Sequence, residues 1–493
     1  MFLEVVKEIL SPNNLLMMNI GMAAGVTIGA LPGLNVVFAV TVLLPLTFGM
    51  SSTAGILMLL GAYCGASYGG SITAILINTP GTPAAAATVF DGYPLARKGF
   101  AGDALKTALV CSVIGGIISA AALLFFAPQL AKVILHIGSP EYFALCLFGL
   151  FAAIGIAGKK IIKGVIMAFL GLLLSTVGAD PFFGGKRFMF GNVKLLAGIK
   201  AAVVMLGVYA VAEVLANSKD AYSKADQKKE TISYTKASIK IKDILKYWKT
   251  IIKSSIFGII IGAVPGTGGA ISAMFSYNEA RRASKNPDEF GTGIIEGVVA
   301  PETGNNATTG ATLIPALTLG IPGDACVAVL LGALTMQGIT PGTELFQNGS
   351  TWVWVIMGGL ILVNIFMFFQ GMLFIRAFVN VTKVPLVVLL PCIMVITCMG
   401  SFAIGNSKLD VIIMVIAGLF GYIMKKFELP VAPLTIGMVL GYLSESSLRR
   451  SLTISEGSYA VFVSRPVSVV ILAIATLSLF YPIIKDLLSK KKA

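Results

Sequence analysis

Residues 295–325 read IEGVVAPETGNNATTGATLIPALTLGIPGDA. Pro301, Pro315 and Pro322, several glycines, the pair Asn305–Asn306 and the carboxylates Glu296, Glu302 and Asp324 stand here among long apolar runs. Proline removes a backbone donor and glycine weakens a helix, so the stretch is expected to be neither a clean transmembrane helix nor a solvated loop. Backbone groups freed at membrane depth are tolerated only inside protein or along a polar cavity. The stretch therefore reads as one half of a substrate site within a membrane. The plainer reading is a tight helix–helix seam, where small residues also gather.

The rest of the chain supplies that membrane setting. Of 493 residues, 56 % are hydrophobic and 12 % charged, and the mean hydropathy is +0.89. A soluble domain carries about 25 % charged residues, so this chain lacks the polar side chains to cover a water-facing surface. Apolar runs near the roughly 20 residues that span a bilayer recur along it without strand-like alternation. These limits predict an all-α, polytopic integral membrane protein with roughly 10–12 transmembrane helices.

The net charge of +14 gathers in short loops and at Lys490, Lys491 and Lys492, the pattern of the positive-inside rule rather than of nucleic-acid binding. Six cysteines stand singly in apolar surroundings, with no CxxC and no Cys/His cluster, which excludes disulfide and metal frameworks. The single histidine, His136, is expected near a helix end, which argues against a His-based relay or triad. The N-terminal MFLEVVKEILSPNN lacks the basic region and cleavage site of a secretory signal, and reads as a short amphipathic lead into the first membrane helix.

Three parts follow. Residues 1–216 form a first repeat half with additional transmembrane helices, and 250–493 a second half with C-terminal transmembrane helices. Between them 217–249, with nine Lys against four Asp/Glu, reads as a basic cytoplasmic linker. Lys159, Lys160 and Lys163 lie between two candidate spans. Counting spans back from the linker places Arg97 and Lys98 in the cytoplasm, but sends Lys186, Arg187 and Lys194 outward, against the same rule. Residues 278–292 read first as a solvated charged loop.

The halves carry an internal repeat. Residues 25–33 read GVTIGALPG and 258–266 read GIIIGAVPG, and Pro80-Gly81 corresponds to Pro322-Gly323. Each half thus has two Pro-Gly breaks: Pro32-Gly33 and Pro80-Gly81, then Pro265-Gly266 and Pro322-Gly323. Interrupted helices in corresponding positions of two halves point to a secondary transporter's binding site. A broken helix offers unpaired N–H groups and a positive dipole end to anions, and free carbonyls to Na⁺. Asn78, Thr79, Gly81 and Thr82 in the first half, with Asn305, Asn306, Thr308 and Gly323 in the second, are the candidate substrate-binding residues. Neutral amides and hydroxyls bind carboxylates without the cost of buried Lys or Arg. Glu302 and Asp324 are candidates for cation coupling.

GALPGLN at 29–35, LLPLTFGM at 43–50, YGGSITAILINTPGTPAAAATVFDGYPLARKG at 68–99 and EGVVAPETGNNATTGATLIPALTLGIPGDA at 296–325 resemble the large membrane subunit of the tripartite tricarboxylate transporters, the TctA family. The resemblance runs through essentially the whole chain and is densest over 20–105 and 255–345. It implies a permease subunit in a bacterial inner (cytoplasmic) membrane, working with a TctB-like small membrane subunit and a TctC-like extracytoplasmic solute-binding protein. It also implies uptake of citrate-like carboxylates driven by Na⁺ or H⁺, with no cofactor and no structural metal. The alternatives are a cation-coupled transporter of another small organic anion, or a passive channel or scaffold. A membrane-embedded enzyme is disfavoured, because Ser71 and Asp91 lack a well-placed His and no HExxH-like pattern occurs; no GxxxxGK[ST] motif points to ATP.

Overall fold

The computed structural model describes residues 2–134, 137–155, 160–223, 236–346, 351–381 and 386–490. His136, Lys159, the linker centre 224–235, Lys491 and Lys492 lie outside the described residues. The first half runs α1 (Phe2–Ile9), α2 (Pro12–Gly29), α3 (Val36–Leu43), α4 (Ser52–Ile77), α5 (Ala86–Leu95) and α6 (Ala101–Ile134). There follow α7 (Ser139–Gly155), α8 (Ile161–Ser175), a small antiparallel hairpin of β1 (Gly178–Ala179) and β2 (Lys186–Arg187), α9 (Ala201–Met205) and α10 (Ala212–Ser223). Beyond the linker come α11 (Ile241–Leu245), α12 (Trp248–Ala263), α13 (Gly268–Ala283), α14 (Glu296–Asn306), α15 (Thr308–Ala311), α16 (Leu313–Leu319), α17 (Ala325–Met336) and α18 (Thr351–Val381). The chain closes with α19 (Leu386–Gly405), α20 (Lys408–Lys426), α21 (Val431–Ile454), α22 (Val461–Ser464) and α23 (Pro466–Lys490).

The architecture is an all-α polytopic membrane protein. Among the described residues, Ser52–Ile77, Pro83–Lys132, Ala201–Ser218, Thr351–Asn380 and Val387–Gly405 are each long and apolar enough to cross a membrane. Exposed stripes such as Ile162, Ile166, Phe169 and Leu173 on α8 recur at helical spacing, as a lipid-facing surface requires.

Close backbone approach holds the centre together. Gly21, Gly25 and Gly29 of α2 lie on Met58, Ala62 and Ala66 of α4, while Gly61, Gly65 and Gly69 of α4 lie on Met18, Met22 and Val26 of α2. Both series rise together, so α2 and α4 run parallel. Each glycine removes the Cβ that would hold the backbones apart; one at Gly65 would sit 2.5 Å from the Met22 carbonyl oxygen. The second half repeats the seam at an offset of 233: Gly258 lies on Gly304 and Ala307, and Gly262 on Thr308 and Ala311.

The breaks repeat as well. Gly33 (φ 90°) and Gly266 (φ 88°) take the same left-handed turn after α2 and α12. Asn78 (φ 52°) and Gly320 (φ 72°) end α4 and α16 in the left-handed region. The next N–H then reaches back six residues, Thr79 to the Thr73 carbonyl and Ile321 to the Pro315 carbonyl. These corresponding columns, α4 and α14–α16, run antiparallel. Ser71 meets Glu302, Asn305 meets the Ser67 carbonyl, and Tyr63 meets Thr312. The two halves therefore enter from opposite faces. Packing between them is reciprocal: α6 lies along α14–α16 and α18 along α4, while α3 meets α17 and α13 meets α5.

One expectation changes. The stretch 296–319 is nearly continuous helix despite Pro301 and Pro315. Each proline deletes only its own donor, and small neighbours such as Gly304 and Gly310 let other helices pack tightly around the column. Its real break is at Gly320–Asp324.

Of the basic residues Lys186, Arg187 and Lys194, Arg187 is held in ion pairs. Arg187 pairs with Glu445 at 2.6 Å and Asp180 at 3.8 Å, and Arg449 bridges the same two carboxylates. The backbone N–H of Phe182, with help from Phe183 and Arg449, holds the Asp180 carboxyl below its usual range. Arg187 and Arg449 thus share one ion-pair network with Asp180 and Glu445. The segment 236–240 that leaves the linker is fastened to the start of α6, where Asp103 accepts from Ser238 and from the Ile239 N–H and Lys106 donates to the Ile239 carbonyl. Arg97 and Lys98, just ahead of α6, thus share the linker's face.

Gly65→Val should force α2 and α4 apart. Overpacking of this kind costs about 1–3 kcal/mol, read as a lower melting temperature and yield of folded protein in detergent. Gly185→Val, with open space around it, should stay within about 0.5 kcal/mol of wild type.

Candidate functional site

Four helix starts converge on one cavity of about 280 Å³. They are the start of α3 at Asn35, the turn at Thr82 that leads into α5, the start of α13 at Gly268–Ala270, and the start of α17 at Asp324. Tyr63, Ser67, Asn305 and Thr308 line it from α4 and the α14–α16 column, and Ala432 and Ile436 close it from α21.

The sequence dictates these starts. Asn35 caps α3 by accepting from the Phe38 N–H at 2.8 Å, and Asp324 caps α17 by accepting from the Val327 N–H at 2.8 Å. Thr82 is the repeat equivalent of Asp324 and takes the same extended backbone (φ −125°, against −149° for Asp324). The second oxygen of Asp324 accepts from the Tyr63 hydroxyl at 3.2 Å. The two breaks of the second half touch directly, with the Gly266 N–H donating to the Gly323 carbonyl at 2.5 Å. In the first half the Gly81 N–H donates to the Gly70 carbonyl at 3.1 Å, and a Cβ at Gly81 would strike the Gly29 carbonyl.

One turn further along α14 lies an enclosed polar cluster. Glu302 is fully buried and accepts from Ser71 at 2.5 Å, from Ser112 at 3.0 Å and from Thr88. Asn306 donates to Ser112 at 2.8 Å, which leaves the Ser112 proton to point at Glu302. Four helices thus converge on one carboxylate that has no cationic partner among the described residues.

The structure brings Thr82, Asn305, Thr308 and Asp324 together around the cavity, with Gly266 beside them. Other candidates stand elsewhere. Asn78 is exposed and Thr79 half-buried, and neither lines the cavity. Asn78 ends a helix in the left-handed region, which asparagine tolerates better than most residues. Gly81 spends its amide on Gly70, and Gly323 is packed against Thr312 with its carbonyl given to Gly266. Asn306 belongs to the Glu302 cluster. Pro32, Gly33, Pro80, Pro265, Gly266 and Pro322 all stand at helix breaks, as the repeat implied.

Sequence reasoning missed Asn35, Tyr63, Ser67 and the Gly268–Ala270 amides in the cavity, and Thr88 and Ser112 around Glu302. The repeat held a signal for one of these: Asn35 follows Gly33 by two residues, as Gly268 follows Gly266. Asp91 is also absent from the expected site. It is buried and accepts from the N–H groups of Gly291, Gly293 and Ile294 and from the Tyr277 hydroxyl, so it anchors the loop before α14 to α5.

The chain matches the tripartite tricarboxylate transporter TctA family over residues 15–436. This chain belongs to that family. It is 37 % identical over 482 residues to an uncharacterised 52.8 kDa protein in the TAR-I ttuC′ 3′ region of Agrobacterium vitis, covering 98 % of this chain and 95 % of that one. A second protein, in the TAR-II ttuC′ 3′ region of the same organism, is 34 % identical over 234 residues, covering 48 % of this chain and 97 % of its own length. No solved structure matches the chain. As a TctA-family member it is a component of a tricarboxylate transporter, with the cavity and the Glu302 cluster at the crossing of its two halves.

Ser112→Ala should cost about 1–3 kcal/mol of stability, because both Glu302 and Asn306 lose a buried partner. Ser112→Ala combined with Glu302→Gln should cost less than the sum of the two single changes, in a double-mutant cycle read by thermal unfolding.

Proposed function

We propose that this chain is the permease subunit of a binding-protein-dependent secondary transporter that imports a small di- or tricarboxylate, citrate-like in class. The observation that carries the reading is the convergence of four helix starts on one cavity between the inverted halves. A helix start carries a partial positive charge, a setting that favours anions without a buried Lys or Arg. Asn305, Thr308 and Thr82 supply neutral donors, and the Gly268–Ala270 backbone lies open to a ligand because its glycines carry no side chain.

Charge balance then calls for a cation. Moving a multiply charged anion through a low-dielectric core is costly unless positive charge travels with it. Asp324 at the cavity wall and Glu302 behind it are the carboxylates that bind Na⁺ or H⁺ in this scheme. A solute-binding protein delivers the anion to the face opposite the linker, and a small membrane subunit completes the assembly in the inner membrane of a bacterium. The breaks at Gly266, Thr82 and Asp324 meet at the cavity, so moving one set of broken helices against the α6 and α18 columns would expose the cavity to each face in turn. A passive channel would lack any need for the buried Glu302 cluster.

The test is uptake of labelled citrate into liposomes holding this chain and its two partner subunits, under an inward Na⁺ gradient or an inward H⁺ gradient. Wild type should accumulate label above equilibrium under one of them. Asn305→Ala should raise the half-saturating concentration about 10–100-fold, as loss of one or two buried hydrogen bonds predicts. Asn78→Ala should leave uptake within about twofold, since it lies outside the cavity. Glu302→Gln should retain exchange of internal for external substrate while losing gradient-driven accumulation. Equilibration without accumulation in wild type would favour a channel, and accumulation indifferent to Asn305→Ala would remove the cavity from the pathway.

A further inference from the structure

A second cavity, also about 280 Å³, opens on the linker's face between α4, α6, α18 and the irregular segment 236–240 that leaves the linker. Its character differs from the central one. Its lining includes Lys106 of α6 and Lys236 of that segment, with the apolar Leu105, Leu109, Met372 and Ile375. Outside it, Met372, Leu373 and Phe374 of α18 are exposed (40 %, 74 % and 54 %), in line with the lipid-facing stripes of other helices. The cavity therefore has a basic part and an apolar part that continues into the outer surface of the bundle.

The two lysines are positioned by the fold. Asp103 accepts from the Ser238 hydroxyl at 2.8 Å and from the Ile239 N–H at 2.8 Å, and Lys106 donates to the Ile239 carbonyl at 2.8 Å. This fastening holds Lys236, two residues before Ser238, at the same cavity as Lys106. Asp103 is buried and accepts from three donors on this segment, the Ser238 N–H and hydroxyl and the Ile239 N–H. The ammonium of Lys106 keeps further donors after its one bond to Ile239, since a lysine has three.

We propose that this cavity binds the phosphate headgroup of an anionic phospholipid, with Lys106 and Lys236 on the phosphate and one acyl chain along Leu105, Leu109, Met372 and Ile375. Its face carries the linker, Arg97 and Lys98, which is the face where a leaflet's negative surface potential concentrates basic residues. Amphipathic shape decides for a lipid over a free anion: a soluble phosphate would leave the apolar half of the cavity wet. The site has a route to the transport cavity. Tyr68 of α4 lines the lipid cavity, and its neighbour Ser67 lines the central one. A bound lipid would brace α4 against α18 at the level where substrate is held.

The full chain, purified and delipidated in a neutral detergent, is titrated with phosphatidylglycerol, phosphatidylcholine or inorganic phosphate, and bound lipid is counted by native mass spectrometry alongside thermal unfolding. Wild type should retain one phosphatidylglycerol more tightly than phosphatidylcholine, with a rise in melting temperature. Lys106→Gln or Lys236→Gln should each weaken that affinity about fivefold, and the pair about 30-fold, following roughly one lysine's contribution to anionic lipid binding. Lys106→Arg should restore most of it, which separates charge from damage to the Ile239 contact. Equal retention of both lipids, an unchanged affinity in the double variant, or full protection by millimolar inorganic phosphate alone would each overturn the proposal.

Discussion

Everything at the centre of this protein depends on satisfying backbone groups where helices stop inside the membrane. In hydrocarbon an unpaired N–H or carbonyl costs several kcal/mol, so a helix can end there only if another element answers it. The Gly266 N–H answers the Gly323 carbonyl, and the Gly81 N–H answers the Gly70 carbonyl. These contacts demand backbones close enough that a side chain would intrude, which is why glycines occupy the breaks. The pairing of Gly266 with Gly323 holds the starts of α13 and α17 side by side at the cavity. The cavity between their starts is a consequence of the pairing.

The same requirement distributes polar side chains. Ser, Thr and Asn fill the crossing of α4 with the α14–α16 column, and nearly all of them bond to a backbone carbonyl or to one another. Glu302 is the exception in kind, because its neighbours are hydroxyls contributed by three other helices. A charge held this way is expensive, and membrane proteins keep such groups where they work. Asp91 shows the contrasting use, where three backbone amides and a tyrosine occupy a buried carboxylate and tie a loop to a helix.

Much of this was legible in the sequence. Hydropathy and the low charge content fixed the all-α membrane class, and GVTIGALPG against GIIIGAVPG marked both the duplication and the first pair of breaks. Pro80-Gly81 against Pro322-Gly323 marked the second pair. The individual ligands were less legible. Asn78 and Asn305 look alike in sequence, but one ends a helix and the other faces a cavity, and only the path of the chain separates them. Pro301 and Pro315 argued against a clean helix because proline is a strong local signal, yet tertiary packing carried the helix through both. Ser112 and Thr88 could not be paired with Glu302 from sequence, because the contacts join residues about 190 and 214 apart along the chain.

A structure of the assembled transporter with a bound tricarboxylate, determined by electron cryomicroscopy at a resolution that shows the ligand, tests the central claim most directly. The account predicts ligand density in the cavity among Asn305, Thr308 and the Gly268–Ala270 backbone, with carboxylate oxygens within hydrogen-bond distance of those groups. Density lodged instead at Asn78 and Thr79, or along the lipid-facing surface, with this cavity filled only by water, would contradict it.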